Sequence, residues 1–188
     1  MPASVSPKTL TFFATAVGAL ALDFASKTAV LSTLAYGDRV EVIEGFFYVT
    51  HVRNPGAAFS MFATAPEGLR LFFFVGISLL ALGIIFSFFR QLAPGERFPA
   101  FALGSILGGA AGNLVDRVFR GGEVVDFLHF RLWSGYSWPD FNLADTFIVV
   151  GVGLLILELL VSEGEDRTAD VEADASDGAS GSKGAHRA

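Results

Sequence analysis

Four stretches of the 188-residue chain are long and apolar enough to cross a lipid bilayer, and no other feature restricts its fold so strongly. They run over Thr9–Leu31, Leu69–Phe89, Phe98–Phe119 and Phe141–Val161. A helix needs roughly 20 residues to span the hydrocarbon core. Inside that core every backbone N–H and C=O must be paired within the element, which leaves helices as the spanning form for runs of this kind. The first run could alternatively be a cleaved signal peptide with a small-residue site at Ala19–Ala21. It continues past that site, however, and Asp23 and Lys27 stand four apart, on one helical face where they neutralise each other. A retained first span accounts for the pair better.

Residues 1–161 are therefore read as one membrane domain and 162–188 as a separate tail. From Ser162 onward seven acids meet Arg167, Lys183 and Arg187, a net of −4 out of the chain's −6. That segment is too polar to bury a core, and a disordered acidic tail is expected. The chain has no cysteine and only three histidines, so disulfides, thiol chemistry and a zinc site are not expected, and neither is any other cofactor. No nucleic-acid partner is expected either.

Four spans place both termini on one side. Two long loops, about Ser32–Gly68 and Arg120–Asp140, lie on the other, and "RQLAPGER" joins spans two and three tightly. "FFYVTHVRN" is rich in β-branched and aromatic residues and predicts a strand, ended by the turn in "NPGAAF". "GGEVVDFLHF" predicts a Gly-Gly turn and a second extended run. The fold class is membrane all-α: a four-transmembrane-helix bundle with a small β-rich cap on one face.

Polar residues gather at the span ends beside that cap. Asn54 precedes span two; Asn113, Asp116 and Arg117 fall at i, i+3 and i+4 near the end of span three; Asn142 and Asp145 open span four. Asp116 beside Arg117 reads as a structural ion pair, as does Asp23 with Lys27. Gly104, Gly108 and Gly112 recur every fourth residue, which suits close approach of a neighbouring helix. The three asparagines either satisfy backbone groups at helix ends or contact a substrate. Asp126 and Asp145 have no adjacent base. In an extended "VVDF", Asp126 shares a face with Val124, Leu128 and Phe130, an unusual place for a carboxyl. Two carboxylates meeting at low dielectric share one proton, so one can activate water while the other donates to a carbonyl or a leaving amine. That chemistry is peptide hydrolysis by an aspartyl dyad.

The stretches "VRNPGAAFS", "GGAAGNLVDRV", "VVDF" and "FNLADTFI", preceded by Asp23 and Lys27, resemble the bacterial lipoprotein signal peptidases, the type II signal peptidases, over about Thr9–Val161. The resemblance implies an integral inner-membrane aspartic endopeptidase, without metal or cofactor, acting as a monomer. Its partners would be the bilayer and membrane prolipoproteins, cut just before their lipid-modified cysteine. It implies catalytic roles for Asp126 and Asp145. Asn54, Gly56, Asn113, Arg117 and Asn142 would form the shell that holds the dyad and the substrate, with Asp23, Lys27 and Asp116 structural. It also implies cytoplasmic termini and an extracytoplasmic cap. Pro55 and His129 depart from the family pattern. A small proton-coupled transporter and a non-catalytic assembly subunit fit less well: the first lacks an internal repeat, and the second leaves Asp126 and Asp145 unexplained.

Overall fold

The computed structural model describes residues 5–56 and 66–181, with side chains described as far as Ser162 apart from Ser134. The end of the "NPGAAF" turn and the last residues of the tail lie outside them. Four helices carry the fold: α1 Pro7–Thr33, α2 Glu67–Gln91, α3 Arg97–Phe119 and α4 Leu143–Gly181. All four contain a segment able to span a membrane, which in α4 is Leu143–Ser162. Three strands, β1 Arg39–Ile43, β2 Phe47–Asn54 and β3 Val124–Phe130, form one antiparallel sheet in the order β1-β2-β3. The sheet sits at the end of the bundle where α1 and α3 finish and α2 and α4 begin.

Local chemistry sets the helix limits. Ser6 caps α1 through its hydroxyl, which accepts the Thr9 N–H, and Pro7 follows where a missing N–H costs nothing. At the C-terminal end of α2, Lys8 donates to the carbonyls of Phe89 and Leu92, so a cation sits on the negative pole of that helix. The helical backbone of α4 runs past the apolar segment to Gly181, where the sequence predicts an unstructured tail. Ala, Glu and Arg in this stretch are helix formers whose backbone bonding needs no apolar core.

The central helix is α3, packed by all three others. Its glycines face α1: a Cβ on Gly104 would meet the carbonyl of Phe12, and one on Gly108 the carbonyl of Ala16. On the opposite face a Cβ on Gly109 would collide with the Ala144 carbonyl of α4. Small residues thus let two backbones close in on α3 together. Farther from the sheet, Phe12, Ile85, Phe89, Leu103 and Ile106 form an apolar core, with the Phe12 and Phe89 rings stacked at 4.0 Å. Much of α2 and α4 presents exposed Phe, Leu, Ile and Val, a distribution suited to lipid rather than water.

Residues Val49 and Val52 of β2 pair with Leu128 and Asp126, so three residue steps on one strand oppose two on the other. This bulge buries both Thr50 and His51. It also leaves Asn54 opposite Val124, at the rim where the sheet meets the helices. The connection from β3 to α4 folds back on β3: Phe127 and Leu128 both donate to the Phe141 carbonyl, at 3.0 and 2.8 Å, and Phe141 donates to Leu128. The start of α4 is therefore hydrogen-bonded to the strand that carries Asp126.

Candidate active site

Asn142 caps α4 by a reciprocal arrangement. Its side-chain oxygen accepts the Asp145 N–H at 3.0 Å, and Asp145 Oδ2 accepts the Asn142 N–H at 3.2 Å. This is a capping box with Asp in place of the usual Glu or Gln. It fixes the Asn142 amide so that its Nδ2 points inward, donating to Asp126 Oδ1 at 2.7 Å and to Asn113 Oδ1 at 3.2 Å. One asparagine thus bridges both carboxylates, by its side chain to Asp126 and by its backbone to Asp145.

Each carboxylate takes one further amide. Asn54 Nδ2 donates to Asp126 Oδ2 at 3.0 Å, and Asn113 Nδ2 donates to Asp145 Oδ1 at 2.7 Å. The Asn54 oxygen accepts the Gly56 N–H at 2.9 Å, which turns its amide nitrogen toward Asp126. Gly56 has a φ of 90°, and a Cβ there would strike the Phe74 ring, so only glycine suits the position. Among the described residues each of the four carboxylate oxygens accepts one side-chain or backbone N–H, which leaves lone-pair capacity for water.

Asp126 is 2% exposed. Its burial pushes the carboxyl pKa up to about 7, with Asp145 adding to the rise and the Asn54 and Asn142 hydrogen bonds opposing it. Protonation of Asp126 near neutrality is thus set by the environment of one strand residue. Val124, Val125, Asp126 and Phe127 are all buried, so both faces of β3 are covered in its first half. Val125 and Phe127 pack with Val30 on one side, leaving Asp126 to the polar cluster on the other.

Asp116 departs from its expected partner. It pairs with Arg120 and with Lys27 rather than with Arg117, because neighbours on a helix diverge whereas residues four apart meet. Its Oδ2 also accepts the Val125 N–H at 3.1 Å, tying α3 to β3. Arg117 instead donates to the Asn113 carbonyl at 3.2 Å and lies 5.2 Å from the Phe74 ring centre, within Coulombic range of Asp145 and Asp126. Its Nε is buried with no hydrogen-bond partner among the described residues. Asp23 pairs with Lys27 at 2.8 Å, and its Oδ1 accepts the Ala144 N–H at 2.9 Å. The i, i+4 position of Arg120 could have been found from the sequence; the convergence of Lys27 on Asn113 could not.

Beside Asp145 opens an apolar groove of about 260 Å³ between Trp138, Phe141, Val149 and Val150. A larger cleft of about 450 Å³ lies at the far end of the bundle, lined by Phe88, Leu103, Leu155 and Glu158, away from the paired carboxylates. His129 Nδ1 lies 3.2 Å from Asp140 Oδ1, which also accepts the Thr50 hydroxyl at 2.7 Å. The unusual histidine thus helps tie the loop ahead of α4 to the sheet. Among the described residues no cluster of three metal-ligating side chains is present.

A family model described as signal peptidase (SPase) II matches residues 15–161. A lipoprotein signal peptidase of Geobacter sulfurreducens is 45% identical over 152 residues, covering 81% of this chain and 92% of its own. That of Neisseria gonorrhoeae is 42% identical over 163 residues, covering 86% and 95%. A solved structure of a bacterial membrane enzyme, obtained by the in meso method, superposes with a TM-score of 0.71 at 35% identity, covering 81% of this chain and 89% of that one. Its sequence and its fold agree: the chain belongs to the signal peptidase II family.

Proposed function

We propose that the chain is a membrane endopeptidase that removes the signal peptide from prolipoproteins, cutting before the lipid-modified cysteine with an aspartyl dyad. The observation that carries this reading is the pair Asp126 and Asp145, brought from a strand and a helix start onto one asparagine, with Asp126 poised near neutral pH. Asp126 holds the shared proton. Asp145 takes a proton from water, whose oxygen bonds to the scissile carbonyl carbon while Asp126 protonates the carbonyl oxygen. The tetrahedral species then collapses: the C–N bond breaks as the proton on Asp145 passes to the leaving amine, and Asp126 takes back a proton from the gem-diol, leaving a carboxylic acid. No metal and no covalent intermediate is needed.

Asn54, Asn113 and Asn142 hold the two carboxyl groups, and Gly56 shapes the turn that aims Asn54. The Arg117 guanidinium, whose Nε has no hydrogen-bond partner among the described residues, fits a contact to a substrate carbonyl. A site at the helix ends meets a scissile bond at interface depth, where a membrane-embedded signal peptide leaves the hydrocarbon. The termini are assigned to the cytoplasm, the sheet to the opposite side, and the working unit to a monomer. The test is incubation of purified protein with a diacylglyceryl-modified prolipoprotein. A shorter product with wild-type protein, and none with Asp126→Asn or Asp145→Asn at matched amounts, is the expected result. Equal cleavage by either variant refutes the dyad.

A further inference from the structure

We propose that Lys27, on α1, is a positioning residue of the carboxylate pair, locking the Asn113 amide so that its N–H faces Asp145. The proposal rests on the reading of Asp126 and Asp145 as the reacting groups. Lys27 is fully buried, and its ammonium meets three acceptors: Asp23 Oδ2 at 2.8 Å, Asp116 Oδ2 at 3.0 Å and Asn113 Oδ1 at 3.0 Å. The contact to Asn113 is a hydrogen bond, while Asp23 and Asp116 meet the ammonium as ion pairs.

Neutralisation alone does not account for the third contact. Asp23 and Asp116 carry two negative charges, and Lys27 with Arg120 supplies two positive ones. The set balances without Asn113. What the third contact fixes is direction. A side-chain amide can turn over, exchanging its oxygen and nitrogen at almost no change in shape. Lys27 can only donate, so the end of Asn113 beside it must be oxygen, and the end beside Asp145 must then be the NH₂ group.

Asn142 contributes a second donor to the same oxygen, at 3.2 Å against 3.0 Å for Lys27. Asn142 is itself locked, because its own oxygen faces the Asp145 backbone N–H. Without Lys27, an overturned Asn113 would present its carbonyl to a carboxylate that must collect a proton from water. The shorter, charged contact from α1 is thus the main bar to that turn. It also makes the geometry of Asp145, on α4, depend on the docking of α1 against α3.

The test uses full-length protein in detergent and a diacylglyceryl-modified prolipoprotein as substrate. Lys27→Met alone would strand Asp23, so it is combined with Asp23→Asn, which restores charge balance. The double variant should fold yet lose kcat by roughly 10- to 100-fold. KM should stay within about twofold, since ground-state binding is untouched. Adding Asn113→Ala should then cost little more, because both routes spoil the same N–H contact to Asp145. Asp23→Asn with Lys27→Gln, which keeps a donor that can itself turn over, should lie between this variant and wild type. Wild-type kcat in the methionine variant, or a full multiplicative loss on adding Asn113→Ala, overturns the proposal. So does failure of both Lys27 variants to accumulate while Asn113→Ala is folded, which would assign Lys27 to folding alone. Wild-type protein that leaves the substrate uncut refutes the dyad reading instead, which keeps the two failures distinct.

Discussion

Asp126→Asn should make the protein more resistant to unfolding as pH rises, while ending its activity. Asp126 has a pKa near 7 in the fold against a reference of 3.8. Between those values the folded state binds more protons than the unfolded one, so stability falls as pH rises, opposite to the usual salt-bridged carboxylate. For a single site with these two values, going from pH 5 to pH 8 removes about 2.5 kcal/mol. The amide has no such titration. It does bring one N–H against the donors of Asn54 or Asn142, but that cost is independent of pH and cancels in the comparison. The assay is unfolding of both proteins in the same detergent at pH 5, 6, 7 and 8, taken as the difference between variant and wild type. That difference should grow in favour of the variant by about 2–3 kcal/mol over the range. A difference flat to within about 0.5 kcal/mol would mean that Asp126 titrates as an ordinary carboxylate, and the account of how it holds the shared proton would fall.

Asp145→Asn should abolish turnover at normal abundance, whereas Asp116→Asn, which loosens ties to Lys27, Arg120 and Val125, should lower folded yield and keep residual turnover per molecule; immunoblots with an uncut-precursor assay separate the two. Gly108→Ala should cost about 1–3 kcal/mol by forcing α1 away from α3, while Gly18→Ala, whose Cβ meets nothing within 4 Å, should unfold like wild type. A chain ending at Glu163 should retain activity, measured as kcat at matched amounts, since the paired carboxylates and their shell all lie before that point. EDTA should leave the rate unchanged; inhibition reversed by added zinc would mean a metal-dependent chemistry.

The spans are readable because apolar length is a local property: the first three end within two residues of the limits of α1, α2 and α3, and the fourth begins two residues ahead of the longer α4. Strand β2 was legible from "FYVTHVRN", and β3 from the run after Gly121 and Gly122, both with positive φ. Strand β1 was not predicted, although "RVEVI" alternates and Gly45, at φ 69°, supplies the turn into β2. It is short, all five residues are exposed, and nothing in its composition marks a core face. In the site, Asn142 and Asp145 were placed together by their spacing, which the capping box explains. The contacts that join α1 to α4 through α3 were hidden, because Lys27 and Asn113 stand 86 positions apart. Asp116 meets Arg120 rather than its sequence neighbour Arg117 because adjacency in sequence is not adjacency on a helix.

The polar ties between α1 and α3 bear on how the chain enters its membrane. In α2 the buried residues of the span, Ile85 and Phe89, are both apolar, and in α4 Asp145 lies at the very start of the span. In contrast, α1 carries Asp23 and Lys27, and α3 carries Asp116 and Arg117, all within the spans. Bare ionisable groups at such depth oppose insertion. Lys27 finds Asp23 within its own helix, but the second carboxylate it meets arrives only with α3, two spans later in synthesis. The Lys27–Asp116 contact, which joins α1 to α3 across the bundle, can therefore form only once the third span is present.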